Sequence, residues 1–261
     1  MACALVVLFA LDKGATAQEA PPQGMVLTFE DNFDHLSISD ICTADATWYN
    51  RTPWKGDFGE AVFAGSTKNG TFRAQNGILT ITLQKTDAGR WTSGLLSSLC
   101  SDGSGFAQQY GYFEMRAQFP SGEGVWPAFW LIGAERLSPD SLATAEIDIV
   151  EHYGALQHAF SSKWHIWHRD GSGRHETAYQ RRRVAPGSLS TGFHTYGVRI
   201  DPQKTVFYFN GEAHWSQPTP KAHHQPMMIL ANLGLGGGWP IGDTAQNAEM
   251  KIDYIKAYAL E

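Results

Sequence analysis

Ala145-Glu-Ile-Asp-Ile-Val-Glu-His152 is the stretch on which both the fold and the chemistry of this chain depend. Successive side chains of a β-strand point to opposite faces, so Glu146 and Asp148 share one face of the predicted strand. Glu151 comes five positions after Glu146, which places it on the opposite face of a regular strand. A β-bulge would absorb one extra residue and return Glu151 to the face of the other two acids. The alternative is an ordinary strand with solvated acids.

The three carboxylates suit a particular chemistry if they do share a face. Asp and Glu are depleted in strands, and like charges held close together repel. Such repulsion is useful where one carboxyl group must stay protonated while another is ionised, which is what cleavage of a glycosidic bond requires. The spacing therefore leaves two interpretations open, a solvated strand face and a pair of catalytic carboxyl groups.

The same stretch resembles the Glu-x-Asp-x-x-Glu signature of glycoside hydrolase family 16, in the bulged form of its laminarinase-like members. Further stretches resemble the family in the same order, from about residue 26 to residue 259: Phe29-Glu-Asp-Asn-Phe33, Gly111-Tyr-Phe-Glu-Met-Arg116, Trp126-Pro-Ala-Phe-Trp130, Phe193-His-Thr-Tyr196 and Asp253-Tyr254. The resemblance implies an all-β fold, an antiparallel β-sandwich of the jelly-roll (concanavalin-like) type. Residues 53–61 are most similar to the branch with bacterial endo-1,3-1,4-β-glycanases.

The resemblance also implies a role for each acid. Glu146 resembles the nucleophile that forms a glycosyl-enzyme intermediate, and Glu151 resembles the general acid that later acts as a base. Asp148 resembles the assisting carboxylate that hydrogen-bonds the nucleophile. Such a reaction retains the anomeric configuration, and the carboxyl groups of its two glutamates are expected about 5 Å apart.

Aromatic and polar residues are the candidates for sugar binding. The chain has nine tryptophans, and flat aromatic faces pack on sugar rings in polysaccharide clefts, although each tryptophan could equally fill the core. By resemblance to the family, the predicted substrate-binding residues are Trp126, Trp130, His165, Asn232 and Trp239. Trp48, Tyr49, Trp54 and Phe58 lie in the aromatic-rich connection 41–64, which predicts either a cleft wall or a lid on the core.

No cofactor is expected for catalysis. His165 and His168 are three positions apart, hence on opposite faces of a strand, which argues against a catalytic zinc. The family resemblance implies a structural calcium ion, with Asp253 as a side-chain ligand and Glu30 as a companion, since calcium prefers oxygen ligands. The alternative for Asp253 is an exposed strand residue.

Composition favours one globular domain over residues 26–261. The 261 residues are 43% hydrophobic, enough for one sizeable core. The formal charge of −6 argues against a nucleic-acid partner. We expect a monomer with a polysaccharide substrate and no membrane partner. The run Arg181-Arg-Arg183 predicts either a solvated face or contact with acidic groups on a charged polysaccharide.

The N-terminus and the cysteines predict export. Residues 4–11 form a short apolar run followed by Ala15-Thr-Ala17, so residues 1–17 are expected to be a signal peptide and residues 18–25 a disordered lead-in. No other segment is long and apolar enough to span a bilayer. The protein is therefore expected to be secreted or periplasmic, where Cys42 and Cys100 could form a disulfide; two buried thiols are the alternative.

The chain otherwise predicts strand after strand without a long helix. Alternating patterns predict strands at 78–83, 113–118 and 205–209, the last ending in the hairpin signal Asn210-Gly211. The sequence as a whole predicts a retaining endo-β-glycanase that cuts internal β-1,3 or β-1,4 bonds of a β-glucan or bacterial exopolysaccharide. The alternatives are an endo-1,3-β-glucanase (laminarinase), a transglycosylase and a non-catalytic carbohydrate-binding jelly roll.

Overall fold

The computed structural model describes residues 23–63 and 70–261. The predicted signal peptide, residues 1–17, lies outside the described residues, as does most of the predicted lead-in. The first strand begins at Met25, so the lead-in predicted for 18–25 extends one residue too far. Met25 pairs with Leu260 and its side chain is buried, which draws it into the sheet. In the described part of the chain, no helix is long and apolar enough to cross a membrane.

The described residues form two β-sheets that pack as a sandwich. In chain order the strands are β1 Met25–Asp31, β2 Ile38–Ser39, β3 Trp48–Tyr49, β4 Val62–Phe63, β5 Phe72–Gln75, β6 Ile78–Lys85, β7 Trp91–Ser93, β8 Leu95–Ser97, β9 Ala107–Gln108, β10 Gly111–Gln118, β11 Val125–Gly133, β12 Ala143–Glu151, β13 Ala159–His168, β14 His175–Arg183, β15 His194–Ile200, β16 Lys204–Phe209, β17 Glu212–Pro218, β18 Met227–Leu235 and β19 Ala248–Leu260. One short helix, α1 Ser188–Thr191, and two 3-10 turns, Ala134–Leu137 and Lys221–His223, accompany them.

The strand order places β12 in the middle of one sheet. The ten-stranded sheet runs β17-β16-β15-β10-β19-β6-β7-β4, with β1 on β19 and β5 on β6. The nine-stranded sheet runs β14-β13-β12-β11-β18-β8-β3-β2, with β9 on β18. Pairing is antiparallel except for two-residue parallel pairs at the edges, β2 with β3 and β4 with β7. The predicted antiparallel sandwich of jelly-roll type is therefore confirmed, with parallel pairing confined to these short segments.

The core lies between the two sheets, where alternate residues of each strand point inward. Leu79, Ile81 and Leu83 of β6 are fully buried, while Thr82 between them is partly exposed. They share one continuous core with Phe129 of the other sheet. Burying apolar surface stabilises the fold by about 25 cal/mol per Å². The period-two pattern of the sequence therefore decides which face of each sheet is left for a functional site.

The hairpin between β16 and β17 forms where the sequence predicts it. Asn210 and Gly211 have φ angles of +50° and +76°. Positive φ at both central residues is the geometry of a type I′ turn, whose twist matches the two flanking strands. Asn and Gly tolerate this conformation better than other residues, so Asn210-Gly211 fixes the register of the pair.

Cys42 and Cys100 form a disulfide, with their Cα atoms 5.6 Å apart and 58 positions between them in sequence. Cross-linking a loop of this length restricts the unfolded chain. We expect the double variant C42S/C100S to lose roughly 2–4 kcal/mol of unfolding free energy and roughly 5–15 °C of Tm in thermal unfolding. A reductant should lower the Tm of the parent protein and leave that of the variant unchanged; an equal response of both would contradict the prediction.

Candidate active site

A β-bulge in β12 brings the three acids to one face. Phe129 of β11 pairs with Val150 and Trp130 pairs with Asp148, so Ile149 has no partner in this register. Ile149 turns into the core, and its insertion shifts Glu151 onto the face of Glu146 and Asp148. The bulge predicted from the spacing is therefore present. The three carboxyl groups line a cavity of about 400 Å³ on the outer face of the nine-stranded sheet.

Strand β13 supplies a polar partner to each acid. Trp167 Nε1 donates to Glu146 Oε2 (2.7 Å), His165 Nε2 lies 3.0 Å from Asp148 Oδ2, and the Lys163 ammonium forms an ion pair with Glu151. Lys163, His165 and Trp167 are spaced two apart on one face, and the β12–β13 register sets His165 opposite Glu146 and Lys163 opposite Asp148. Two adjacent strands thus hold all three carboxyl groups in fixed positions.

Glu151 receives further donors from the cleft rim. Trp126 Nε1 donates to Glu151 Oε1 at 3.0 Å, and Tyr153 donates its hydroxyl to the same oxygen at 3.3 Å. The rings of Trp126 and Tyr153 stack at 5.9 Å, and Tyr153 contacts Trp239 at 5.4 Å. Trp239 is 37% exposed. Three aromatic rings therefore run past Glu151 and offer a continuous apolar surface to a sugar chain.

Two glycines make room for Trp126. A Cβ atom on Gly237, which has a φ of +58°, would lie 2.7 Å from the Trp126 ring, and one on Gly234 would lie 2.9 Å from it. Both distances are closer than carbon atoms approach without a shift of the neighbour. Side chains at these positions would displace the indole that contacts Glu151.

Trp130 and Asn232 form the inner wall of the cavity. Trp130 Nε1 donates to Asn232 Oδ1 at 2.8 Å, and both side chains are buried. The Asn232 Nδ2 group has no hydrogen-bond partner among the described residues. A buried donor without a partner is costly, and a substrate hydroxyl in the cavity would satisfy it. Trp54 and Phe58 complete this wall, so part of the aromatic-rich connection borders the cleft, whereas Trp48 is buried in the core.

Burial and mutual repulsion shift the acidity of the cluster. Burial, and next the charge of Asp148, raises the pKa of Glu146 from 4.5 to about 8. Burial, and next the charge of Glu151, raises the pKa of Asp148 well above its usual range. Burial lowers the pKa of His165. The cluster therefore retains a proton near neutral pH, because its carboxyl groups cannot all ionise so close together.

Ionisation of Glu146 is expected to oppose folding as the pH rises. Its pKa is 4.5 ordinarily and about 8 in the folded protein, so between these values the unfolded chain ionises first and stability falls with pH. We expect E146Q to match the parent protein at pH 4 and to exceed its unfolding free energy at pH 8 by roughly 1–3 kcal/mol, after allowing for solvent in the cleft. Denaturant unfolding at both pH values measures the difference.

The matched control for this pH dependence is E212Q. The Glu212 side chain is 81% exposed and lies on the other sheet, so its replacement should leave the unfolding free energy within about 0.5 kcal/mol of the parent value at both pH values. A stability gain of E146Q that does not grow between pH 4 and pH 8 would contradict the assigned proton affinity of Glu146.

The structure brings together all the residues predicted for catalysis and substrate binding. Glu146, Asp148, Glu151, Trp126, Trp130 and Asn232 line the first cavity, while His165 and Trp239 line a second cavity that shares Glu151. Sequence reasoning missed Lys163 and Tyr153. The alternation of β13 was the available signal for Lys163, because it lies two positions before His165 and shares its face.

The residues predicted for calcium lie elsewhere, and each has a cation as partner. Asp253 forms an ion pair with Arg116, and Glu30 pairs with Lys256 at 2.9 Å. The hydrogen bond from Lys256 lowers the pKa of Glu30. Neither carboxylate belongs to a described cluster of three or more acidic, histidine or cysteine side chains tight enough to share one ion. These paired side chains do not fit a calcium site as they stand, and calcium binding stays a prediction.

Carboxyl groups in an aromatic cleft on a β-sandwich define a carbohydrate-active protein of the glycoside hydrolase class. The chain belongs to glycosyl hydrolases family 16, whose family model matches residues 59–256. This membership confirms the resemblance on which the site residues were assigned.

Relatives and solved structures agree with the family. The chain is 34% identical over 257 residues to the endo-1,3-1,4-beta-glycanase ExsH of Rhizobium meliloti (strain 1021), and 33% identical to the endo-1,3-1,4-beta-glycanase EglC of the same organism. Each alignment covers 90% of this chain and 52% of the relative, so the chain spans about half the length of these proteins. The catalytic domain of an endo-1,3-beta-glucanase (laminarinase) from Thermotoga petrophila RKU-1 superposes with a TM-score of 0.72 at 21% identity, covering 91% of this chain and 98% of that chain.

Proposed function

We propose that this domain is a retaining endo-β-glycanase that hydrolyses internal β-1,3 or β-1,4 bonds of a β-glucan or bacterial exopolysaccharide. The observation that carries the proposal is the set of three acids on one face of β12, each held by a partner from β13, in an aromatic-lined cleft. A protein that only bound sugars would have no need of this buried acid set. The two relatives with the printed activity endo-1,3-1,4-beta-glycanase support the linkage range.

In the proposed reaction, Glu146 attacks the anomeric carbon of the sugar in the first cavity. Glu146, whose pKa is raised to about 8, passes its proton to Asp148, whose pKa is also raised, and Glu146 then carries the negative charge. The Trp167 N–H stabilises this carboxylate. Glu151, once protonated from solvent, gives that proton to the departing glycosidic oxygen and is left as the carboxylate that pairs with Lys163. It then accepts a proton from water, which attacks the glycosyl-enzyme ester and releases Glu146. Two displacements at one carbon retain the anomeric configuration.

The shape of the site supports cleavage within a chain. Glu151 borders both the cavity of about 400 Å³ that holds Glu146 and a neighbouring cavity of about 390 Å³. A polysaccharide can therefore continue on both sides of the catalytic acid. This arrangement suits an endo-acting enzyme, which binds sugars on either side of the bond that it cuts.

The test is reducing-sugar release from mixed-linkage β-glucan, laminarin and agarose by the parent protein and by E146Q. We expect release of oligosaccharides from mixed-linkage β-glucan by the parent protein alone, with the β-anomer as the first product in NMR spectra. Preference for laminarin would favour an endo-1,3-β-glucanase, and oligosaccharide transfer in excess of hydrolysis would favour a transglycosylase. Binding without release from any polymer would contradict the proposal and favour a binding module.

The proposal extends to the compartment in which the domain works. An exopolysaccharide substrate lies outside the cell by definition, and the disulfide between Cys42 and Cys100 persists in an oxidising compartment. Both features support a secreted or periplasmic protein, with residues 1–17 as its signal peptide. Detection of the active protein in the medium or periplasm, and its loss when residues 1–17 are deleted, would test this.

A further inference from the structure

A second cavity adjoins the catalytic acid on the side away from Glu146. It has a volume of about 390 Å³ and lies over β12, β13 and β14, the last of which is the edge strand of the nine-stranded sheet. Its lining includes Glu151 but neither Glu146 nor Asp148. In the proposed reaction Glu151 protonates the leaving group, so this cavity receives the sugars on the leaving-group side of the bond.

One cation that lines this cavity has no ion-pair partner among the described residues. Lys163 is already paired with Glu151, the carboxylate that the two cavities share. Arg181 also lines the cavity, is exposed, and forms no ion pair with any described residue. Its neighbour Arg182 points the other way and approaches Glu212 of the opposite sheet at 3.9 Å. The alternation of β14 thus divides the predicted basic run, and it directs a free guanidinium into the cleft.

Aromatic surface lies beside Arg181. Tyr179 precedes it by two positions on the same face of β14, lines the same cavity and is 64% exposed. Trp239, on the opposite rim, also lines this cavity. An exposed ring with a free guanidinium next to it can hold a sugar ring and a group attached to that ring at the same time.

We propose that Arg181 binds a carboxylate substituent on a sugar of the leaving-group side, so that the enzyme prefers an acidic polysaccharide there. The guanidinium offers two parallel N–H donors that match the two oxygens of a carboxylate. The chain carries a net charge of −6, which repels acidic polymers, and a cation inside the cleft offsets this repulsion where the substrate binds. The inference rests on the proposed function, because it assigns the charge of the polymer that this same site cuts.

The test compares two forms of one polymer, mixed-linkage β-glucan and the same β-glucan lightly carboxymethylated. We expect R181Q to lower kcat/KM on the carboxymethylated form by about tenfold or more, while the value on the neutral form stays within about twofold. R181K keeps the charge and loses the two parallel N–H donors, so its kcat/KM on the carboxymethylated form should lie between the values of R181Q and the parent. The preference of the parent for the acidic form should shrink as salt concentration rises.

R183Q is the matched control. Arg183 lies on the same strand and face, carries the same charge and is exposed, but it does not line the cavity. If R183Q lost as much kcat/KM on the carboxymethylated form as R181Q, the effect would be general charge steering and the inference would be overturned. An equal loss of kcat/KM by R181Q on both polymers would also overturn it. Hydrolysis of neither polymer by the parent protein would instead overturn the proposed function, and the inference with it.

Discussion

Replacing Glu146 by Gln should lower kcat on the polysaccharide by about 10⁴-fold or more, because the amide cannot form the glycosyl-enzyme ester. Glu146 is the proposed nucleophile, and Trp167 donates to its carboxylate at 2.7 Å, so the substitution replaces a carboxylate that is fixed in position. The isosteric amide should keep the fold and leave oligosaccharide binding within a few-fold of the parent value. Reducing-sugar assays and calorimetric binding measure the two effects separately.

A smaller substitution gives the nucleophile assignment a second, independent readout. In E146G, added azide should enter the vacated space and attack the anomeric carbon from the face of the missing carboxylate, with Glu151 still protonating the leaving group. The product expected from a substrate with a good leaving group is a glycosyl azide of inverted configuration, identified by NMR. A kcat for E146Q within tenfold of the parent, or no azide adduct from E146G, would remove Glu146 from the role of nucleophile.

Replacing Glu151 by Gln should lower polysaccharide hydrolysis by about 10²–10⁴-fold, the usual contribution of a positioned acid or base. The loss should depend on the leaving group. A dinitrophenyl oligosaccharide needs no proton to depart, so its first step should be nearly unaffected and the glycosyl-enzyme should accumulate as a burst. Azide, which needs no base to attack, should then restore turnover. Stopped-flow detection of dinitrophenolate measures both effects.

Y153F is the matched control for Glu151. It removes one hydroxyl that donates to the Glu151 carboxylate at 3.3 Å and leaves the Trp126 and Lys163 contacts in place. We expect a loss of less than about tenfold that is similar for both classes of leaving group. If E151Q lost equal activity on polysaccharide and on the dinitrophenyl substrate, without a burst, Glu151 would have no role as an acid.

Much of the sandwich follows from local patterns in the sequence. The alternation at 78–83 predicted β6, and the pair Asn210-Gly211 predicted its turn, because side-chain alternation and positive φ are properties of a few adjacent residues. The same alternation placed Glu146 and Asp148 on one face. Placing Glu151 on that same face required a bulge, which the spacing permitted and the family resemblance favoured.

The partners of the site residues were beyond the reach of local patterns. Lys163 contacts Glu151 only because Asp148 pairs with Lys163 in the β12–β13 register and the bulge then moves Glu151 into reach. Asp253 looked available as a calcium ligand because the sequence does not show that Arg116, on the neighbouring strand β10, pairs with it. Each case depends on which strands are adjacent and in which register.

The sequence by itself determined the family, the all-β class, the three acids and most of the tryptophans near them. Only the tertiary structure decided that Arg181 is the member of the basic run that lines the cleft. It also decided that Trp48 lies in the core while Trp54 lies in the cleft wall. The contacts of Glu151 with Lys163, Trp126 and Tyr153 likewise depend on the tertiary structure. The physical reason is that the face of a residue on its strand is a local property with a period of two. Its neighbours across the sheet depend on strand order and register, which segments distant in sequence set together.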